Sequence, residues 1–299
     1  MLFFIFSKSC DTDYMKSLSK HKIMIWVLLL VVGVSLFITY SEYTRSSVVR
    51  VIFLDVGQGD ATLIVAPNGR QILIDAGKYP SISEKISVYM PNSDRSIEMV
   101  IATHPDIDHV AGFNTLLDEY SVDYFVHSGL LAGASLYKNI AEKVNKYKIP
   151  NHSARTGDKI MIDKDMYLEI LYPYLNKKID NPNDYSVVVR LVYEGKSILL
   201  TGDASTLVEQ DLVTMYGENI QSDILKLGHH GSKTSSSSNF IKTVNPKHAI
   251  ISASCDNSFG HPHASVLQTL EDHDVPSLST CTHGDIVFEF REGEWVLKN

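Results

Sequence analysis

The sequence predicts an α+β fold in which two β-sheets pack face to face and helices cover both outer surfaces, an αββα sandwich. Short β-branched segments joined by turns open the domain at residues 48–55, 61–66 and 71–75, which predicts an antiparallel start. Later β-rich segments alternate with helical segments in both halves of the chain. An apolar run at residues 23–40 predicts one transmembrane helix in front of this sandwich.

The apolar run at residues 23–40 is 18 residues long, which suits a membrane-spanning helix, and three lysines precede it closely. Positive charge before a span predicts a cytoplasmic N-terminal segment, residues 1–22, and a domain at residues 48–299 on the outer side of the membrane. A cleaved signal sequence, which would give a secreted domain, is the alternative. No small-residue cleavage site follows the run, so an uncleaved anchor is favoured.

The charge of the chain beyond this run limits the kinds of partner. Residues 1–40 carry four lysines and two aspartates, which leaves 23 basic and 33 acidic residues, and a net charge of −10, beyond them. This balance argues against a broad basic surface for nucleic acid. The acidic charge is still compatible with a nucleic-acid substrate if metal ions bind the phosphate groups.

The cysteines leave one question open. Cys255 and Cys281 lie near two predicted strands beyond the apolar run, whereas Cys10 precedes it. A Cys255–Cys281 disulfide is possible in an extracytoplasmic compartment. The sequence does not show whether the two Cα atoms lie within bridging distance.

The remaining elements follow from hydrophobic periodicity and turn signals. Residues 81–97 are expected to be helical in part. Further helices are predicted at residues 110–120, 132–147, 239–244 and 263–272, and one that ends near Tyr216. Strands are predicted at residues 100–102, 122–127, 185–193, 197–201, 223–227 and 249–253, within 153–172, and close to the C-terminus. Polar loops at the same ends of several strands would share one edge, where we expect the chemistry.

One polar loop carries four possible metal ligands. The strand at residues 100–102 stops at a turn that contains His104, Asp106, Asp108 and His109. Imidazole and carboxylate together suit a borderline-to-hard divalent cation, and adjacent side chains on a turn can point toward two neighbouring ions. A solvated acidic loop is the alternative interpretation.

Two later stretches add further candidates, each with a structural alternative. Asp203 ends a predicted strand but could equally be the N-cap of the helix that follows. His229 and His230 end another strand but could be surface histidines. His261 precedes a proline and could be a simple turn residue.

Taken together and in this order, the motifs resemble the metallo-β-lactamase superfamily, whose pattern runs HxHxDH, a further His, a strand-terminal Asp and a late His. More narrowly, the chain resembles the hydrolase domain of competence DNA-uptake channel proteins, the ComEC family. The segments that carry this resemblance are FLDVGQGDATLI at 53–64, LIDAG at 73–77, THPDIDHVAG at 103–112, NDYSVVVRL at 183–191, LLTGD at 199–203, GHHGSKTSSS at 228–237 and GHP at 260–262. The resemblance covers roughly residues 48–290.

The resemblance implies two divalent cations held by six residues: His104, Asp106, Asp108, His109, Asp203 and His229. In this assignment His104 and Asp106 bind one ion, and Asp108, His109 and His229 bind the other. Asp203 bridges the two ions. The chain departs from the superfamily pattern at two positions. Asp106 occupies the position of the second histidine in HxHxDH, and Asn183 lies near the position where the superfamily has its next histidine. Oxygen ligands make the site harder, so the metal is left open between Zn²⁺, Mn²⁺ and Mg²⁺.

The resemblance also implies roles around the ions. Two cations that share Asp203, with Asp108 beside it, would give a hydroxide at neutral pH for attack on the substrate. The candidates for contact with substrate oxygens or for protonation of the leaving group are Lys226, His230 and His261. Behind the ligands, Asp75 is expected to orient a ligand histidine, and Asp60 and Asn183 to position the site.

The expected function is therefore a membrane-anchored extracytoplasmic metallohydrolase, a phosphodiesterase or nuclease, with DNA as a candidate substrate and a DNA-uptake channel as a candidate partner. One alternative keeps the fold and changes the substrate to a cell-wall phosphocholine or teichoic-acid ester, a lactone or a β-lactam. Another is a module that binds metal without catalysis. The oligomeric state is left open.

Overall fold

The computed structural model describes residue 20 and residues 22–37, 48–91, 93–129, 135–174 and 181–298 of the 299-residue chain, which divides into two units at Val48. In the first unit, residues 22–37 form a helix with exposed apolar side chains, among them Trp26 and Phe37. Residues 38–40 of the predicted span, and nearly all of the predicted cytoplasmic segment, lie outside the described residues. Within the described ranges, no helix combines the length and apolarity needed to cross a bilayer. The anchor stays a prediction.

The first sheet of the second unit confirms the predicted antiparallel start. Its strand order is β17-β16-β1-β2-β3-β5-β7-β8, and the first three strands along the chain pair antiparallel. The strands on one side of β3 run parallel to it. Their bounds are β1 (Arg50–Phe53), β2 (Thr62–Val65), β3 (Gln71–Ile74), β5 (Met99–Ala102), β7 (Phe125–His127), β8 (Asn151–Ser153), β16 (Ile286–Arg291) and β17 (Glu294–Leu297). A small parallel pair joins β4 (Ser96–Ile97) to β6 (Ser121–Val122).

The second sheet has the order β15-β14-β13-β12-β11-β10-β9. It begins as an antiparallel meander from β9 to β12 and continues parallel from β12 to β15. Its strands are β9 (Lys159–Asp163), β10 (Met166–Tyr172), β11 (Val188–Tyr193), β12 (Lys196–Leu200), β13 (Ile224–Lys226), β14 (His248–Ile251) and β15 (Ser277–Ser279).

The helices lie on the outer faces of the two sheets. They are α1 (Ile82–Ser87), α2 (Ile107–Val110), α3 (Phe113–Glu119), α4 (Ser135–Lys146), α5 (Thr206–Tyr216), α6 (Ser238–Val244), α7 (Ala264–Asp272) and α8 (Thr280–His283). Short 3₁₀ turns occur at Pro182–Tyr185, Gly217–Ile220 and Gly228–Gly231. One apolar cluster packs α1, α3 and α4 on the first sheet, another packs α5 to α7 on the second, and a third fills the space between the sheets. These layers confirm the αββα sandwich.

Several predicted boundaries need correction. The helix predicted at residues 110–120 begins only at Phe113, after the separate short helix α2, because the His109 carbonyl leaves the helical pattern and accepts a hydrogen bond from Ala76 N at 2.7 Å. The strand predicted from residue 185 begins only at Val188, since a 3₁₀ turn, in which Asn181 Oδ1 accepts from Asn183 N, precedes it. The strand predicted at residues 122–127 is likewise split between β6 and β7.

The pairing of cysteines that the sequence left open is resolved within the second unit. Cys255 and Cys281 form a disulfide, with their Cα atoms 5.0 Å apart. The bond joins the loop after β14 to helix α8, and so fixes one side of the edge on which the polar loops meet.

Candidate metal centre

The candidate site lies where the loops after β3, β5, β12, β13 and β14 meet at one edge of the sandwich. The carboxyl ends of parallel strands share one edge of a sheet, and each sheet contributes such strands. A hydrogen bond from Val187 N to Thr103 O, 2.9 Å long, joins the loops of the two sheets here. Residues that are far apart in the sequence therefore face one another across the edge.

Asp203 is the centre of this arrangement, and each of its carboxylate oxygens faces two imidazole rings. Oδ1 lies 3.2 Å from His109 Nε2 and 3.6 Å from His230 Nε2. Oδ2 lies 3.8 Å from His104 Nε2 and 3.7 Å from His229 Nε2. Asp203 is 3% exposed, so its charge is removed from bulk water. The N-cap of α5 is Ser205, which rules out the capping role for Asp203.

The two histidines of the loop after β5 are oriented from behind by Asp75. Asp75 Oδ2 lies 2.7 Å from His109 Nδ1, and the Thr103 hydroxyl donates to the same oxygen at 2.7 Å. Because that hydroxyl donates to Asp75, it accepts from His104 Nδ1, which lies 3.0 Å away. Both Nδ1 atoms therefore carry the proton toward the protein, and both Nε2 atoms are turned toward Asp203.

The two histidines of the loop after β13 show the same pattern. His230 Nδ1 donates to the Ser252 carbonyl at 2.9 Å. His229 Nδ1 lies 3.2 Å from the Thr234 hydroxyl, which itself donates to Ser232 Oγ at 3.0 Å. In all four histidines, then, Nδ1 is held by a protein acceptor while Nε2 faces the same carboxylate.

The backbone of the loop after β13 is strained at both histidines. His229 (φ 46°, ψ 46°) and His230 (φ 57°, ψ 22°) both have left-handed conformations. Each such residue costs roughly 1–2 kcal/mol when it is not glycine. Two consecutive left-handed residues turn adjacent side chains to the two different oxygens of Asp203, which a regular helix or strand would not do.

Asp106 and Asp108 extend the two sides of the centre. Asp106 Oδ2 lies 3.8 Å from His104 Nε2, on the Oδ2 side of Asp203. Asp108 Oδ2 lies 3.4 Å from His230 Nε2, on the Oδ1 side. The structure thus places His230, rather than His229, beside Asp108, which differs from the assignment expected from the sequence.

Asp60 approaches from the loop between β1 and β2. Its Oδ1 lies 3.1 Å from His230 Nδ1, and its Oδ2 contacts the ammonium of Lys226. The preceding Gly59 has φ 124°, and a Cβ there would stand 2.0 Å from the Asp108 carbonyl oxygen. Only glycine allows this close approach of the two loops. Asp60 therefore borders the centre on the Nδ1 side of His230, with one oxygen within 4.8 Å of ligand atoms of His109, Asp203 and His230.

Two of the three residues predicted to contact substrate are almost fully buried in this structure. Lys226 is 2% exposed and its ammonium contacts Asp60. His230 is 1% exposed and both ring nitrogens face protein groups. His261 is 9% exposed, the most open of the three, and its ring centroid lies 5.4 Å from that of His229.

Asn183 does not join the centre through any contact in the described part of the chain. Its backbone N–H is held by Asn181 in the turn before β11. Ser186, three residues later, reaches the site instead, because its buried hydroxyl accepts from Asp203 N at 3.0 Å. Neither Ser186 nor Thr103 was predicted, since a single hydroxyl beside a motif carries no spacing signal.

Burial and neighbouring charges shift the pKa values of the histidines on the two sides of Asp203 in opposite directions. Burial lowers the pKa of His104 to about 3 and also lowers the pKa of His229. On the other side, nearby carboxylates outweigh burial: they raise the pKa of His109 well above its usual value and that of His230 to about 9. The negative charge of Asp203 can therefore be balanced by protonated His109 and His230, which face Oδ1, but not by the histidines that face Oδ2.

Carboxylates of the centre respond to the same charges. Burial would raise the pKa of Asp203, but His109 and His230 hold it well below its usual value. Burial would likewise raise the pKa of Asp60, which Lys226 and His230 lower instead. Burial dominates at Asp75 and raises its pKa.

The donor set fits a divalent cation. Among the described residues, buried atoms without a hydrogen-bond partner include Nε2 of His104, His109 and His230, and Oδ1 of Asp203 and Asp60. One ligand atom from each of Asp60, His109, Asp203 and His230 lies within 4.8 Å of the others. Unpaired buried nitrogen and oxygen atoms that converge in this way are typical of a metal site.

The fold and the site define the class of protein. The chain belongs to the metallo-beta-lactamase superfamily, whose profile matches residues 54–135 and 176–255. The superfamily and the buried aspartate and histidine cluster support a metal-dependent hydrolase.

Within that class, the chain is similar to competence proteins. It is 30% identical to ComE operon protein 3 of Bacillus subtilis (strain 168) over 273 residues, 86% of this chain and 35% of that protein. It is 31% identical to Competence protein ComA of Neisseria gonorrhoeae over 270 residues, 90% of this chain and 36% of that protein. Recombination protein 2 of Haemophilus influenzae is 35% identical over 243 residues, 79% of this chain and 28% of that protein. The chain thus spans about a third of the length of these relatives.

Solved structures share the fold at low identity. CmlA, a diiron beta-hydroxylase from Streptomyces venezuelae, has a TM-score of 0.53 at 10% identity, over 81% of this chain and 54% of that chain. Zn²⁺-bound PqqB from Methylobacterium extorquens has a TM-score of 0.50 at 13% identity, over 74% of this chain and 85% of that chain. At these identities the likeness shows the fold alone.

Proposed function

We propose that this chain is a metal-dependent phosphodiesterase that cleaves nucleic acid outside the cytoplasm, held to the membrane by residues 23–40. The observation that carries the proposal is the position of Asp203, whose two oxygens each face two imidazole Nε2 atoms. A carboxylate between four nitrogen donors is suited to bridge two cations that lie side by side.

The distances divide the ligands into two balanced sets that share Asp203. His104, Asp106 and His229 lie on the Oδ2 side. Asp108, His109 and His230 lie on the Oδ1 side. This assignment exchanges the partners of His229 and His230 relative to the sequence-based expectation, and it gives each ion two imidazoles.

The metal is proposed from the chemistry of these donors. Two imidazoles and two carboxylates around each position suit Zn²⁺ or Mn²⁺ better than Mg²⁺, which prefers oxygen ligands and water. Bound divalent cations in such a centre lower the pKa of coordinated water and stabilise negative charge on a phosphoryl oxygen.

The residues of the chain prepare this centre. Asp75 and Thr103 hold the Nδ1 atoms of His109 and His104, so that both Nε2 atoms already face Asp203. Burial keeps His104 neutral at pH 7, as a ligand must be. His261 lies beside His229 and is more open than Lys226 or His230, so it is our candidate for contact with a substrate oxygen.

A nucleic-acid substrate and a role in DNA uptake are proposed from the competence relatives, with a DNA-uptake channel as the candidate partner. Residues 41–299 carry a net charge of −10, so attraction for a phosphate backbone has to come from bound cations and from local groups at the rim. The Cys255–Cys281 disulfide supports the extracytoplasmic location, because disulfides persist in oxidising compartments.

The test uses the purified full chain in detergent. Elemental analysis should find Zn or Mn, and the protein should cleave DNA and bis-p-nitrophenyl phosphate when Mn²⁺ or Zn²⁺ is present. Asp203→Asn should abolish turnover, whereas Asp118→Asn, a matched change on the surface, should not. Absence of turnover on both substrates, or turnover that survives Asp203→Asn, would refute the proposal.

A second candidate substrate is a cell-wall phosphodiester such as a choline phosphoester. The acidic charge of the domain and its proposed outward location favour it. Rates on a choline phosphoester and on DNA, measured with the same preparation, separate the two. A folded protein that binds metal but cleaves neither substrate would indicate the non-catalytic module.

A further inference from the structure

Phe259 is a large apolar side chain that stays exposed beside the metal centre. It lies in the loop between β14 and α7 and is 62% exposed. Its ring stacks on His261 with centroids 5.6 Å apart and an interplanar angle of 24°. His261 in turn contacts His229, whose Nε2 faces Asp203. A row of rings therefore leads outward from the centre and ends in Phe259.

The loop that carries Phe259 is held in place by several contacts. Asn257 Oδ1 accepts from His261 N at 2.9 Å, and its amide group donates to Ser254 O at 2.8 Å. Ser254 N lies 3.4 Å from Gln58 Oε1, which ties this loop to the one that carries Asp60. The Cys255–Cys281 disulfide fixes the loop to α8. Phe259 is therefore presented on a constrained loop, so ordering it upon binding costs little.

The stack with His261 occupies one face of the Phe259 ring, and the exposure of the side chain leaves ring surface open to solvent. A flat aromatic partner on the open face would bury apolar area and continue the row of rings. Nucleobases are such partners, and stacking on an aromatic ring tolerates any base because each base presents a π-face.

A second part of the rim has matching chemistry. Tyr79 is 53% exposed and follows Lys78, which is also exposed. Tyr79 lies over Gly57, where a Cβ would stand 3.8 Å from its ring, beside the Gln58 that contacts the Phe259 loop. Exposed Lys233 follows the loop of His229 and His230. Exposed rings and cations at one rim suit a strand whose bases and phosphates both make contact.

We propose that Phe259 stacks on a nucleobase of a single-stranded polynucleotide whose phosphodiester lies at the metal centre. This inference rests on the proposed function and names its substrate class and a specificity-determining residue. Bases within a duplex are already stacked and paired, so the same contact disfavours duplex substrates. Phe259 thereby selects single strands without reading their sequence.

The test is a binding measurement, which does not depend on cleavage. The anisotropy of a labelled oligothymidine and of an abasic strand of equal length is followed in Ca²⁺ as the full chain is added. The wild type should bind oligothymidine more tightly than the abasic strand. Phe259→Ala should weaken oligothymidine binding about tenfold, the loss expected for one base stack, and should leave abasic binding unchanged.

Two control variants accompany this comparison. Phe259→Trp should keep the preference for bases, because it keeps a stacking surface. Tyr147→Ala removes an exposed ring in the turn just after α4 and should change neither affinity. The stacking role would be overturned if the wild type bound the two strands equally or bound neither. It would also be overturned if Phe259→Ala lost the same affinity for both strands. Cleavage that persists in such a case leaves the phosphodiesterase proposal standing, so the two failures are distinguishable.

Discussion

Asp60 and Lys226 form an ion pair that is buried between the two sheets. Asp60 comes from the loop after β1 in the first sheet, and Lys226 ends β13 in the second. Their side chains are 7% and 2% exposed. The pair therefore joins the two sheets behind the metal centre and balances the charge of a carboxylate that also faces His230.

Removal of the Lys226 charge should destabilise the fold. In Lys226→Met the Asp60 carboxylate would remain buried without its cation, which we expect to lower the free energy of unfolding by about 3–5 kcal/mol. Urea unfolding measures the change. The double variant with Asp60→Asn should recover part of the loss, because no buried charge is then uncompensated. A single variant as stable as the wild type would contradict the importance of the pair.

Asp75 should act on metal affinity through the histidines that it orients. Asp75→Asn weakens the acceptor at His109 Nδ1 and the support of Thr103, and we expect metal affinity to fall by about 10–100-fold. Competition with a chelator measures the affinity. Asp118→Asn, the same chemical change at an exposed position of α3, serves as the control. Equal affinities in the two variants would show that Asp75 does not position the ligands.

Glu209 should make stability depend on pH. It lies on α5, and its carboxylate accepts from the backbone N–H groups of Ser236 and Ser237, in the loop that follows the two left-handed histidines. Burial raises its pKa from 4.5 to about 7, since these hydrogen bonds offset only part of the desolvation cost. The folded state therefore favours the protonated form.

The sign of the effect follows from this raised pKa. The contribution of Glu209 is fully present below about pH 4.5 and is lost as pH rises through about 7, a change of about 3 kcal/mol. Glu209→Gln stays neutral, so the difference in free energy of unfolding between wild type and variant should shift by that amount between pH 4.5 and 8. Urea unfolding at several pH values tests this, and a constant difference would count against the raised pKa.

The disulfide gives a direct count of thiols. Of the three cysteines, only Cys10 should react in the denatured, unreduced protein, and all three should react after reduction. Reduction should also lower the free energy of unfolding by about 3 kcal/mol, because the bond closes a chain segment with a sequence separation of 26. Three reactive thiols before reduction would exclude the bond.

Much of the fold was predictable because its signals are local. Turn residues and β-branched runs marked β1 to β3, and hydrophobic periodicity marked α4 and α7 near their observed bounds. Boundaries failed where a distant group competes for a backbone atom. Ala76 N donates to the His109 carbonyl, so the helix predicted from residue 110 begins only at Phe113.

The centre was predictable as a set of residues but not as a geometry. The spacing of His104, Asp106, Asp108 and His109 is visible in one loop, and Asp203 ends a recognisable strand. Adjacent His229 and His230 cannot be assigned to sides from their order. Their left-handed backbone, set by contacts with other loops, decides which ring faces which oxygen.

The sequence by itself determined the layered α+β class, the motifs with their ligand types, and the acidic charge, because each depends on neighbouring residues or on composition. Only the tertiary structure decided that Asp60 meets Lys226, that His230 joins Asp108, and that Cys255 pairs with Cys281. Such contacts join residues from separate loops, and their distances are fixed by how the two sheets pack, which no local pattern encodes.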